Sequence, residues 1–225
     1  MSLFGEGVIA IWSDIREDGL ETFYAWHDNE HVPERVGIPG FIRGRRYVAV
    51  EGSPRFYMQY ETVSPQVQVG QDYLNRLNDP TEWTRRALAY FENTTRSLTR
   101  KVFSQAKGDG AELVAAGVDA PREALAALRR VLVTGFLPEL YLDHAVQGVH
   151  WLETDRSAST IETAEKRGRQ VGVCDAVVLI ETTRPGPARA ARGRLEELLG
   201  AAEGVRLVVP PGHWRLEHQK VKLWL

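Results

Sequence analysis

The order strand, helix, strand, strand, helix, strand can be read twice along the 225 residues. That repeated order constrains the fold more than any other feature of the chain. Residues 7–15 (GVIAIWSDI) read as a strand. Asp18 to His31 reads as a helix, with Leu20, Phe23, Tyr24 and His27 near one face. Pro33 lacks an N–H and crowds the preceding turn, so the helix is expected to stop just before it, with PERVG as a separate short turn. FIRGRRYVAVE and RFYMQYETV flank a turn at Gly52, Ser53 and Pro54 and must pair as an antiparallel hairpin. A helical region follows in two pieces, 65–77 and WTRRALAYFENTTR. Between them Asp79 is the expected cap, Pro80 suits the first helical position, and Glu82 completes a capping box. RKVFSQAK is the fourth strand.

The second half repeats the order with little identity. ELVAAGVD is a strand. Pro121 opens a helix with Leu125, Leu128, Val131 and Leu132 at helical spacing. HAVQGVHWLE and CDAVVLIETT are strands, with an inserted polar helix expected near TIETAEKRGR. ARAARGRLEELLGAA is an amphipathic helix, and HWRLEHQKVKLWL is a last strand. KGDGA, 107–111, is the natural boundary, which gives halves of 1–107 and 111–225. A β-α-β-β-α-β unit closes as a four-stranded antiparallel sheet with both helices on one face. The bare face must be buried. The expected fold is therefore α+β: tandem ferredoxin-like repeats packed sheet to sheet as an intrachain pseudo-dimer. LPELYLDHAVQG faintly echoes VPERVGIPGFIRG but lacks the histidine pair and the arginines, so a single site would belong to the first half.

Charge and cysteine usage narrow the function classes. Basic residues number 28 and acidic residues 30, for a net charge of -2, which argues against a generic nucleic-acid partner. No apolar run approaches a membrane span, and MSLFGEGVIAIW does not read as a signal peptide. Cys174 is the one cysteine; beside the apolar run it reads as a buried small residue. A cytoplasmic protein with a small-molecule ligand fits these features.

The candidate chemistry is concentrated in WHDNEHVPERVGIPGFIRGRRY, 26–47. A histidine near neutral pKa can take a proton from carbon beside a carbonyl, or from a phenol. His31 is the candidate acid or base, with Glu30 and Glu34 close in sequence to orient it. His27 and His31 are four apart, a metal-compatible spacing, but HExxH is absent and Pro33 disturbs the geometry, so no metal is expected. Arg43, Arg45 and Tyr47 share one strand face and Arg46 takes the other; Tyr57, Gln59 and Glu61 share a face on the next strand. If the rows meet, Glu61 neutralises an arginine; the alternative is that Arg45 and Tyr47 bind a substrate oxygen. Arg35 reads as a surface partner of Glu34 or Glu30. Trp26, Tyr57 and Trp83 are candidate pocket walls, with Trp12 assigned to the core. His144, His150, His213 and His218 are scattered, and no pattern selects one as an axial haem ligand over an apolar cavity. No phosphate loop, nucleotide fingerprint or nucleophile elbow is present, and no cofactor is expected.

The block from Trp26 to Arg35, with Pro39 to Phe41, Arg45 to Tyr47 and a weaker match at Asn78 to Arg86, resembles the dimeric α/β-barrel superfamily and, within it, an uncharacterised EthD-like group. The resemblance covers roughly the first hundred residues. His27 stands where it implies an aromatic residue. It implies the barrel fold more strongly than a reaction, because such proteins include isomerases, polyketide cyclases, cofactor-independent monooxygenases, dehydratases and haem-dependent relatives. The leading expectation is a cofactor-independent enzyme for a small apolar carbonyl or aromatic compound, working by proton transfer as an isomerase, cyclase or dehydratase. Its catalytic residues would be His31, Glu30 and Glu34, with substrate held by His27, Arg45, Tyr47, Tyr57, Trp26 and Trp83. The alternatives are a non-catalytic binding or accessory protein and a cofactor-independent monooxygenase. A homodimer is compatible with exposed sheet edges.

Overall fold

The computed structural model describes residues 3–222. Met1, Ser2 and residues 223–225, the end of the expected last strand, lie outside that range. In the first half β1 (Gly7–Ile15) leads to α1 (Leu20–Trp26) and α2 (Val32–Gly37), then to the hairpin β2 (Phe41–Glu51) and β3 (Phe56–Thr62). Helices α3 (Gln71–Asn78) and α4 (Glu82–Leu88) precede β4 (Phe91–Ala106). The second half runs β5 (Glu112–Asp119), α5 (Arg122–Val131), α6 (Leu137–Tyr141), β6 (Val146–Thr154), α7 (Arg156–Ser159), β7 (Val171–Gly172), β8 (Ala176–Thr182), α8 (Pro185–Gly200) and β9 (Arg206–Val221).

The long strands form one closed antiparallel ring in the order β1, β3, β2, β9, β5, β8, β6, β4 and back to β1. The expected sheet-to-sheet α/β-barrel arrangement within one chain is seen as a closed barrel, its two sheets hydrogen-bonded at both edges, β2 to β9 and β4 to β6. The edges that could recruit a second copy are thus paired within the chain. Among the described residues the only parallel pairing is that of β7 with β4 at Thr94 and Thr95.

Strand alternation places one row inside the ring and the next under the helices. Tyr57, Gln59 and Glu61 of β3 lie opposite Tyr47, Arg45 and Arg43 of β2. All six are buried, with Trp12, Leu152, Leu179 and Trp214 in the same interior. The other row carries Arg46, Met58 and Tyr60 towards the helices. Helix layers cover both halves, with Phe23, Trp26, Val32 and Val36 in the first and Leu128, Leu132, Leu195 and Leu199 in the second.

Several local expectations are corrected. The first helix does not end before Pro33; α1 passes into α2 through a wide turn, His27–His31, closed by a hydrogen bond from Val32 N–H to the His27 carbonyl. That i to i−5 spacing takes the backbone out of the α register where the proline, with no N–H, could not continue it. The same wide turn recurs at Leu132–Phe136, again followed one residue later by a proline, Pro138. Residues 65–77 divide into a short tight turn at 65–69 and α3. Asp79 closes α3, and the cap of α4 is Thr81, whose Oγ1 accepts from Thr84 N–H at 2.9 Å. Thr81→Ala is therefore expected to cost about 1 kcal/mol in urea unfolding, whereas Asp79→Ala should cost less. β4 begins at Phe91, well before the expected RKVFSQAK. The polar segment near 160–169 is no helix; it folds as turns, with Gly168 at φ 77°. It is anchored to the first half by Glu165 N–H to the Leu77 carbonyl and Ala164 N–H to Asn78 Oδ1.

Candidate active site

A cavity of about 60 Å³ lies between the first-half helices and the outer face of β1, β3 and β4. Trp26, His27, His31 and Arg35 line one side; Met58, Tyr60, Phe91 and Arg96 rise from the strands. The turn segment of the second half forms a roof with Thr163, Glu165, Lys166, Arg169 and Val171. The space is large enough for a few water molecules. A larger ligand would need the roof to move.

His31 occupies this cavity because the wide turn and the helix beyond it keep residues 27, 31 and 35 on the sheet side. Its ring stacks on Trp26 with centroids 4.2 Å apart. Its Nδ1 is buried with no hydrogen-bond partner among the described residues. Burial, together with the cations Arg35 and Arg96 and with His27, holds its pKa well below the ordinary value. At a helix C-terminus the dipole would favour imidazolium. The helix continues past residue 31, so that stabilisation is absent and the ring is neutral.

The expected orienting acids do not touch His31. Glu30 Oε1 accepts from Thr81 Oγ1 at 2.6 Å and from Thr84 Oγ1 at 3.1 Å. Thr84 Oγ1 in turn accepts from Trp26 Nε1 at 3.0 Å. Glu30 therefore acts on His31 only through the ring beneath it. Glu34 is taken up by Arg35 at 2.9 Å and Arg76 at 2.7 Å. Arg35 is not at the surface: it is 2% exposed and also paired with Glu165.

His27 is buried among stated partners that fix its tautomer. Arg46 Nη1 lies 2.9 Å from His27 Nδ1, and a guanidinium can only donate, so Nδ1 accepts and the proton sits on Nε2. Nε2–H then donates to the Tyr60 hydroxyl at 3.3 Å. That leaves the hydroxyl's own proton available to the cavity. Burial first, and Arg46 beside it, bring His27 down to about 4. Burial pushes the Tyr60 phenol up. Arg46 is itself held by Asp28 at 2.5 Å and Glu217 at 2.7 Å.

Arg45, Tyr47 and Tyr57 are elsewhere: they face the interior of the ring, across the sheet from His31. Arg45 bonds Glu181 at 3.1 Å and Glu61 at 3.3 Å, while Arg43 pairs with Glu61 at 2.7 Å. Trp83 packs at the edge of the cluster around Phe23 and Phe56 and does not line the cavity. Of the sequence candidates, the structure brings together His31, His27 and Trp26. It adds Tyr60, Arg96, Lys166 and Arg169, which sequence reasoning missed. Strand alternation could have supplied Tyr60, on the same face as Arg46; nothing local marks the roof residues.

Among the described residues no three His, Cys, Asp or Glu side chains converge to hold a metal ion. The donor set does not fit a haem. His150 bonds Ser104 at 2.8 Å inside the ring, His213 bonds Glu112 at 2.7 Å on the outer face of the second half, and the cavity beside His31 is far smaller than a macrocycle. Burial pushes the Cys174 thiol up to about 11, so it stays protonated. Among the described residues no helix is long and apolar enough to cross a membrane.

No family profile and no curated protein matches this sequence. Solved structures do. A candidate monooxygenase of Fusobacterium nucleatum superposes with TM-score 0.59 at 7% identity, over 99% of this chain and 98% of that one. An anthrone oxidase-like protein gives 0.61 at 9% identity, over 98% and 95%. Chlorite dismutase from Candidatus Nitrospira defluvii, in complex with imidazole, gives 0.54 at 12% identity, over 96% and 92%. The fold is that of the dimeric α/β-barrel superfamily. At such identities the likeness extends to the barrel and not to its chemistry. In this barrel the cavity lies outside the ring, under the first-half helices.

Proposed function

We propose that the protein is a small-molecule enzyme that works by proton transfer at His31, without a cofactor. The observation that carries this reading is a buried, neutral imidazole with an unpartnered nitrogen, stacked on Trp26 beside a cavity. An unsatisfied buried polar atom costs stability, so its retention calls for a reason beyond packing. Neutral His31 can accept a proton from an enolisable carbon or a phenol. Tyr60, presented by the His27–Arg46–Asp28 chain, donates to the substrate oxygen as negative charge develops on it. Glu30, through Thr84 and Trp26, positions the base. Isomerisation, cyclisation and dehydration all begin with that step.

The element order and strand order of the two halves support reading the chain as two ferredoxin-like repeats, 1–107 and 111–225, fused in one barrel. The wide turns are equivalent in that reading, which aligns His27 with Leu132, His31 with Phe136 and Arg35 with Leu140. The second repeat therefore keeps the backbone device and lacks the polar groups, and the first repeat carries the chemistry under a roof lent by the second.

A second reading is a cofactor-independent monooxygenase, in which the anion left by proton removal reacts with dioxygen. Similarity to a candidate monooxygenase and to an anthrone oxidase-like protein favours it. Both readings predict that His31→Phe, which borrows the residue of the second repeat, abolishes turnover. Phenols, anthrones and enolisable ketones would be screened for solvent hydrogen exchange by NMR and for oxygen uptake. Loss of about 100-fold or more in His31→Phe, with an unchanged or raised unfolding midpoint, is the expected result. Equal rates in variant and wild type would remove His31 from the chemistry. A ligand that binds with no exchange and no oxygen uptake would leave a non-catalytic binding protein.

A further inference from the structure

We infer that the ligand of this cavity is an organic anion, a small unsaturated or aromatic acid whose carboxylate or phenolate is received by Arg96, Lys166 and Arg169. The inference rests on the cavity being the ligand site, and it is independent of whether His31 moves a proton.

Four cations line one small space; Arg35 is paired with Glu34 and Glu165, but Arg96, Lys166 and Arg169 have no carboxylate within ion-pair distance among the described residues. Arg96 donates to the Tyr73 hydroxyl at 2.8 Å. Arg169 donates to the Glu165 carbonyl at 3.2 Å and to Thr94 Oγ1 at 3.4 Å. Lys166 is hydrogen-bonded to the carbonyls of Ser159 and Ile161. All these hydrogen-bond acceptors are neutral; Glu162 near Lys166 and Glu165 near Arg169 act on these cations without an ion-pair contact. Guanidinium groups carry five N–H donors and ammonium three, which leaves donors for a ligand on every one of them.

Of the acids nearby, Glu162 is exposed on the outside of the roof, and Glu165 and Glu34 are committed to other arginines. Glu165, the one carboxylate lining the cavity, is paired with Arg35, and Glu34 is shared by Arg35 and Arg76. Burial and the neighbouring Arg96 lower Lys166 to about 8, and burial lowers Arg169. Like charges gathered in a partly desolvated space oppose one another, and an entering anion relieves that repulsion. Arg169 also lies over the Phe91 ring at 5.2 Å, which sets its planar donors against an aromatic wall. Ile11, Trp26, Met58, Leu88 and Phe91 supply the apolar surface for the rest of the ligand. The buried, unpartnered Nδ1 of His31 belongs to the same lining. A neutral ligand would leave the three cations as they are; an acid would pair them.

Calorimetric titration of the full chain with benzoate and acetate, each beside its neutral amide, tests this. Benzoate is expected to bind at least about ten-fold more tightly than benzamide, and acetate more tightly than acetamide. In Arg96→Gln and Arg169→Gln the preference for the acid should fall several-fold, and Arg169→Lys should restore part of it. The acid–amide comparison is made in the unaltered protein, so it stands even if a variant fails to fold. Equal affinity for acid and amide, or no binding by either carboxylate, overturns the inference. Benzoate binding that persists in His31→Phe while exchange is unaffected would defeat only the catalytic reading. Lost exchange with retained benzoate binding would uphold both.

Discussion

Replacing Arg45 by methionine is expected to destabilise the protein by about 3–5 kcal/mol in chemical denaturation. Arg45 is fully buried between Glu61 and Glu181, both of which have no exposed surface. Against burial, which would raise it, Arg45 and His150 hold the Glu181 carboxyl well below the usual range. Without the guanidinium, Glu181 keeps the Gly110 N–H at 3.0 Å and His150 Nε2 at 3.7 Å. Glu61 keeps Arg43 and the Phe4 N–H. Glu61 thus retains a guanidinium, but the Gly110 N–H and His150 do not replace the one that Glu181 loses. The double replacement Arg45→Met with Glu181→Met should recover much of the loss, because it removes both desolvated charges together. A single-variant cost below about 1 kcal/mol would mean that water reaches the interior and screens the network.

Acid should weaken the fold before its carboxylates titrate. His27 titrates at about 4 in the folded protein and near 6.5 when unfolded. Between those values the unfolded chain binds the extra proton, so stability falls as pH drops from 6.5 and the loss is complete near 4. The difference amounts to about 3 kcal/mol. His31 is displaced in the same direction and adds to the loss. The urea midpoint is expected to be flat above pH 7 and to decline steeply towards pH 4.5. His27→Gln keeps an acceptor for Arg46 and a donor for Tyr60 without the titration, and its decline should be shallower. An unchanged slope in that variant would place the acid sensitivity elsewhere.

Much of the architecture is legible in the sequence because strand alternation and turn chemistry are local. The faces of β2 and β3 follow directly from counting by two, as does the meeting of Glu61 with the arginines. The error lay in assigning Arg45 and Tyr47 to the same space as His31. Helices pack on the outer row, and that row carries Arg46, Met58 and Tyr60. The wide turn at His27–His31 was hidden because a proline reads locally as a stop, although its counterpart at Pro138 repeats the pattern. Glu30 and Glu34 were chosen for proximity in sequence, yet their side chains face Thr81, Thr84, Arg35 and Arg76. The roof residues Lys166 and Arg169 come from 135 and 138 positions beyond His31. Only the tertiary fold brings them back.

Ring closure also governs how the chain comes to be folded. β2 waits for β9, so its outer edge stays open until Arg206–Val221 has been synthesised. During translation the first half emerges with its arginine-rich inner face wet and one flank able to pair with any extended chain nearby. Contacts this distant in sequence make the final step slow. The ion-pair network is likewise a late feature, because Arg45 and Glu61 of the first half meet Glu181 only after the second half has been made.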